Sequence, residues 1–128
     1  MLDRRVADAL NLGAQARHAG WNVDGAGAGS VAIRLAALAA RLSVHAELLA
    51  DRSIALGGAP CATPERVFAR SRVAPLPDES APRLAEAMIA RRLERYADGL
   101  QDDGVIAQAL GDEQTARLCL ELAGSLAT

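Results

Sequence analysis

Residues 31–56 read VAIRLAALAARLSVHAELLADRSIAL, a run without glycine or proline. Val31, Leu35, Leu38, Leu42, Leu49 and Leu56 recur along one side of a 3.6-residue period, which predicts an amphipathic helix. At 1.5 Å per residue it is about 40 Å long. Gly57-Gly58, with Pro60 just beyond, stops it. Upstream, Asp24 to Gly29 alternates glycine with other residues and reads as a loop, with Ser30 as N-cap of the long helix.

Outward from this element the chain stays helical. Val6, Leu10 and Ala14 predict a first helix from Leu2 to Ala19, with Gly20 near its end. Thr63-Pro64-Glu65 has the order of an N-cap, a first-turn proline and a carboxylate at the positive end of a helix dipole. It predicts a short helix ending near Ser71. Pro75, Pro77 and Pro82 punctuate a connection, after which Leu84, Met88, Leu93 and Tyr96 belong to another long helix. Gly99 and Gly104 each weaken that helix by about 1 kcal/mol relative to Ala and mark a place for a break. Gly111-Asp112 ends it, and Glu113 to Ala127 forms the last helix. The expected fold is all-α: a four-helix bundle with a short extra helix between the second and third helices, one domain over residues 1–128.

Composition narrows the function classes. Half of the 128 residues are hydrophobic, yet only Trp21, Phe68 and Tyr96 are aromatic, a balance that favours helices over strands. All 14 basic residues are Arg, and the net charge is -2, so a strong pull on phosphate backbones is not expected. Arg91-Arg92-Arg95 reads as a solvated helix face. Cys61 and Cys119 fit no metal or redox spacing and are expected as reduced thiols in a cytoplasmic protein. Met1 to Arg5 carries charge with no signal-peptide core behind it, and no run has the apolar length of a membrane span. Motifs for nucleophilic catalysis and phosphate loops are missing as well.

A second stripe of the long helix carries the chemistry. Ala32, Ala36, Ala40, Ser43, Glu47 and Asp51 fall together on a narrow face that is small and then acidic. The alanines admit a close helix neighbour, and Glu47 and Asp51, four apart, project side by side. Two such carboxylates are the oxygen half of an iron or magnesium site, or simply a solvated acidic face. His45 lies on the leucine stripe and reads as a hydrogen-bonded histidine of the core or surface. His18, two residues before Gly20, points elsewhere on its helix.

Trp21-Asn22-Val23-Asp24-Gly25, Ala55-Leu56-Gly57-Gly58-Ala59-Pro60 and Gly111-Asp112-Glu113-Gln114-Thr115-Ala116 together resemble framework motifs of the Dps family of small ferritin-like proteins. The resemblance implies a ferritin-like bundle, homo-oligomers from a dimer to a shell of twelve, and iron sequestration with protection from oxidative stress. In that family the metal site is shared between two subunits. One brings two His and an Asp, whose places here read Gly20, Ala32 and Ala36. The other brings an Asp and a Glu just before an Arg, matched by Glu47 and Asp51 before Arg52 with the acids exchanged. The family's pore acids correspond to Asp112 and Glu113, but the next acidic place is Arg117, and Asp112 serves equally as an N-cap.

Glu47 and Asp51 are therefore the candidate metal residues, iron the candidate cation, held weakly, and ferroxidase chemistry is expected to be eroded. Two alternatives stand beside this reading. The chain lends Glu47 and Asp51 to an intact Dps paralogue and completes a shared di-iron centre, or it is a non-metal structural or ligand-binding bundle.

Overall fold

A computed structural model describes residues 1–126 of the chain. Five helices follow one another: α1 (Leu2–Asn22), α2 (Ala28–Ala55), α3 (Pro64–Arg70), α4 (Pro82–Ala109) and α5 (Glu113–Ser125). The α1–α2 hairpin is the most extensive pairing; α4 and α5 form a second hairpin, α1 lies against α4, and α2 touches both α4 and α5. The short α3 packs on α1 through Val67. This is the expected four-helix bundle with its inserted short helix. None of the described helices is long and apolar enough to cross a membrane.

The core is the meeting of the predicted stripes. Val31, Leu35, Leu42 and Leu49 of α2 are buried against Val6, Leu12 and Ala16 of α1, with Ile89 and Leu100 of α4 and Cys119 and Leu122 of α5 in the same cluster. Fully burying a side chain such as Leu42 contributes about 1.5–3 kcal/mol. Leu56 departs from the stripe: it follows the last helical residue and is exposed.

Several boundaries differ from the sequence reading, each for a physical reason. The first helix does not end at Gly20 but continues to Asn22, and Val23 N–H closes it on the Ala19 carbonyl at 3.0 Å. A Cβ at Gly20 would rest 3.5 Å from the Leu35 Cβ, so this glycine lies in the α1–α2 contact, where packing outweighs its weak helix propensity. The N-cap of α2 is Gly27, not Ser30: its φ of +82° is a conformation open to glycine, and it starts the helix at Ala28. Thr63 precedes α3 as expected, without a side-chain cap bond.

No break occurs in α4. A Cβ on Gly99 would overlap the Arg5 guanidinium, and one on Gly104 would press on Leu120 at 3.0 Å. Both glycines let neighbours approach. The expected end of α5 at Ala127 lies outside the described residues; within them the helix closes at Ser125.

Helices α2 and α4 finish alike. After α2, Gly58 N–H bonds the Ser53 carbonyl at 2.8 Å and Gly57 N–H that of Ile54 at 3.0 Å; after α4, Asp112 and Gly111 do the same to Ala107 and Gln108. These are Schellman turns. In the second, Asp112 goes on to cap α5 by accepting the Thr115 N–H at 3.1 Å.

One polar cluster ties the proline-rich connection to the bundle. The buried Asp8 carboxylate accepts from Ser71 Oγ at 3.0 Å, from Arg72 N–H at 2.7 Å and from Arg5 at 3.0 Å. Arg5 also reaches Asp103 of α4 at 2.6 Å. Removing one partner of so enclosed a set costs about 3–5 kcal/mol, because a buried charge is left behind.

Candidate metal centre

Glu47 and Asp51 sit one turn apart on the outward side of α2, both exposed and neither engaged in a hydrogen bond or ion pair among the described residues. The face around them is unusually apolar for a surface. Ile33, Val44, Leu48 and Ile54 are between 43% and 72% exposed, with Ala36, Ala37 and Ala40 between them. The helix is thus buried on one side and leaves an apolar face uncovered on the other. The two carboxylates stand within that face.

Asp51 also lines a shallow cavity with Arg52, Gln114, Arg117 and Glu121, where guanidinium groups offset the carboxylates. Arg52 is itself engaged, donating to Thr115 Oγ1 at 2.8 Å and to Asp112 Oδ1 at 2.9 Å. Hydrogen bonds from Thr115, then the charge of Arg52, hold the Asp112 carboxyl below its usual range. Asp112 thus acts as the N-cap and the anchor of α5 to α2. Glu113 is exposed and shares a second shallow cavity with Arg117 and Glu121.

The positions that the Dps resemblance assigns to the other half of a metal site hold no donor side chain. Gly20 and Ala32 lie against each other where α1 crosses α2, and Ala36 is exposed. His18 faces away, into a cavity lined by Leu76, Asp78, Glu79 and Met88, and Asn22 Nδ2 donates to its carbonyl at 2.8 Å. In that cavity the Glu79 carboxylate already accepts the N–H groups of Ser80 and Ala81, each at 3.1 Å. Trp21, at 77% exposure, stands free at the end of α1. Among the described residues, no three His, Cys, Asp or Glu side chains gather as a metal site.

His45 is a hydrogen-bonded histidine of the core, one of the two settings its place on the leucine stripe left open. Ser125 Oγ donates to the Leu122 carbonyl at 2.7 Å, which leaves it to accept from His45 Nε2 at 3.1 Å; His45 Nδ1 then accepts the Tyr96 hydroxyl at 3.0 Å. This assignment uses one neutral tautomer and satisfies every member. Burial, helped by the positive charge of Arg41, pushes the imidazole down to about 4. Burial likewise raises the Tyr96 phenol, and it pushes the Cys119 thiol up to about 11. Cys61 and Cys119 are both free.

Sequence reasoning left two groups of residues unread. Arg5, Asp8 and Asp103 are brought together from positions up to 98 residues apart, and no local pattern announces them. Arg92 is not a solvated residue of a basic face: it donates to the carbonyls of Ala74, Pro75 and Met88. Arg91 and Arg95 do remain exposed.

Comparison with known proteins gives the frame for these features. A family model described as ferritin-like domain matches residues 1–122. The fold superposes on an archaeal Dps homologue from Halobacterium salinarum with a TM-score of 0.90 and 28% identity, covering 98% of this chain and 70% of that one. Dps from Thermosynechococcus elongatus gives 0.91 and 22%, over 98% and 80% of the two chains. Dps from Vibrio cholerae O1, described as a member of a broad superfamily of ferritin-like diiron-carboxylate proteins, gives 0.91 and 17%, over 98% and 79%. None of the curated proteins matches the chain in sequence.

Proposed function

Because this chain belongs to the ferritin-like family and folds as the Dps proteins do, we propose that it is an iron-binding subunit of a cytoplasmic homo-oligomer serving iron sequestration and protection from oxidative stress. The observation that carries the reading is the outward face of α2. Its exposed apolar side chains suit a second copy of the same helix, and Glu47 and Asp51 on that face offer oxygen ligands with no internal partner. Iron is cargo here. A resident dinuclear oxidising centre does not fit the residues present, since Gly20, Ala32 and Ala36 provide neither imidazole nor carboxylate. Two carboxylates hold a cation weakly, and oxidation by this chain alone is accordingly eroded. Nucleic acid and membrane have no part in this reading.

Light scattering on the purified chain, with aerobic Fe²⁺ added and ferric absorbance followed in the same sample, tests it. The expected result is a dimer or a larger closed particle that takes up Fe²⁺ and oxidises it no faster than buffer. Uptake should disappear in the Glu47→Ala/Asp51→Ala double variant. A monomer whose thermal midpoint ignores Fe²⁺, Zn²⁺ and Mn²⁺ alike would sink the proposal in favour of a purely structural bundle.

One observation favours a second reading. The two acids of one half-site persist while all three positions of the other half lack ligands, as expected of a subunit that completes its centre with an intact Dps paralogue. Co-expression should then give mixed particles whose iron oxidation slows on Glu47→Ala. An unchanged rate, or no mixed particle, would refute the pairing.

A further inference from the structure

We propose that the cavity between α1, α4 and residues 72–74 is a binding site for a small phosphoryl-type oxyanion. Its volume is about 270 Å³, and five guanidinium groups line it: Arg5, Arg72, Arg91, Arg92 and Arg95. Asp8 is the one acidic side chain of its lining among the described residues.

The charge there is not neutralised. Asp8 is fully engaged with Arg5, Ser71 and the Arg72 N–H, and Asp103, behind the cavity, is engaged with Arg5. Within the lining five guanidinium groups face one carboxylate, and Glu94 and Asp98, one turn from Arg91 and Arg95 on α4, form no ion pair with them among the described residues. Arg92 donates to the carbonyls of Ala74, Pro75 and Met88, neutral acceptors that leave its charge uncompensated. Those bonds also hold the 74–75 backbone against α4, so one wall is set before a ligand arrives. Arg72, Arg91 and Arg95 are exposed and form no ion pair among the described residues.

Ligand chemistry follows from the donors. A guanidinium is a planar fork matched to two oxygens of one acceptor, and it stays charged at every physiological pH. A carboxylate has oxygens for one fork. Three uncommitted forks around one concavity suit a tetrahedral oxyanion with three or four oxygens, such as phosphate, for which the cavity has room together with bridging water. A nucleic acid duplex would reach only the rim. The site is independent of the iron reading.

Isothermal titration of the full-length protein with inorganic phosphate, ionic strength held constant with chloride, is the test. Saturable binding near one phosphate per chain is expected, with a raised thermal midpoint. The Arg72→Gln/Arg91→Gln/Arg95→Gln variant, altered only at exposed positions, should bind at least about tenfold more weakly. Arg66→Gln, on α3 and outside the cavity, should bind as the parent does. The proposal is overturned by any of three results: no saturable phosphate binding by the parent protein, whether or not it binds duplex DNA; undiminished binding in the triple variant; or an equal response to chloride at matched ionic strength.

Discussion

His45 Nδ1 and the Tyr96 hydroxyl meet at 3.0 Å inside the bundle, joining α2 to α4 through a bond that only a neutral imidazole can accept. Tyr96 is 2% exposed and His45 4%, so neither group has water as a substitute partner.

Tyr96→Phe keeps the ring and removes the donor. With His45 Nδ1 left unpaired, the loss should be about 1–3 kcal/mol. The denaturant midpoint should fall with an unchanged slope against denaturant. An unaltered midpoint would mean that water or another group replaces the phenol.

Acid should unfold the protein through the same residue. The folded imidazole titrates at about 4 and the unfolded one near its ordinary 6.5, so between these values the unfolded chain binds a proton that the folded chain refuses. Stability from this source is complete above about 6.5, falls by at most about 1.4 kcal/mol per pH unit as pH drops toward 4, and then levels off. Urea unfolding at a series of pH values reads the slope. His45→Gln should flatten it within that window.

Two glycines on helices should respond oppositely to alanine. At Gly99 the new methyl group overlaps an Arg5 side chain already held by Asp8 and Asp103, and the cost should be about 1–3 kcal/mol. At Gly29, in the first turn of α2, nothing lies within 4 Å of the added carbon, and the substitution should stabilise by up to about 1 kcal/mol. Thermal midpoints moving in the same direction for both would contradict the packing described for α4.

Val44, 58% exposed in the middle of the α2 face, offers a test of assembly apart from iron. Val44→Arg places a charge where a second copy would pack. Light scattering should show a smaller particle with the helical circular dichroism retained; an unchanged mass would move the interface to another face.

How far the fold was legible depended on how local its determinants are. The stripe from Val31 to Leu49 declares α2 because its spacing needs no knowledge of what it packs on, and Gly57 declares the stop because its φ of +86° follows from a helix ending there. Ser30 misled because a side-chain cap is visible in sequence, whereas the left-handed turn at Gly27 is one of three similar glycines. Gly99 and Gly104 looked like weak points for want of their partners, Arg5 and Leu120, which lie far away along the chain or across a turn. For the candidate metal residues, the spacing of Glu47 and Asp51 made legible that both lie exposed on one face of α2. Gly20, Ala32 and Ala36, the positions that the Dps resemblance assigns to the other half of the centre, carry no donor side chain for spacing to reveal.

The 98-residue separation between Arg5 and Asp103 sets an order on synthesis. A nascent chain exposes Arg5 and Asp8 at the start, and the α1–α2 hairpin has all its own residues long before Asp103 has been added. Until α4 is made, the first turn of α1 carries a guanidinium without its second carboxylate, so the oldest part of the polypeptide reaches its final electrostatic arrangement among the last.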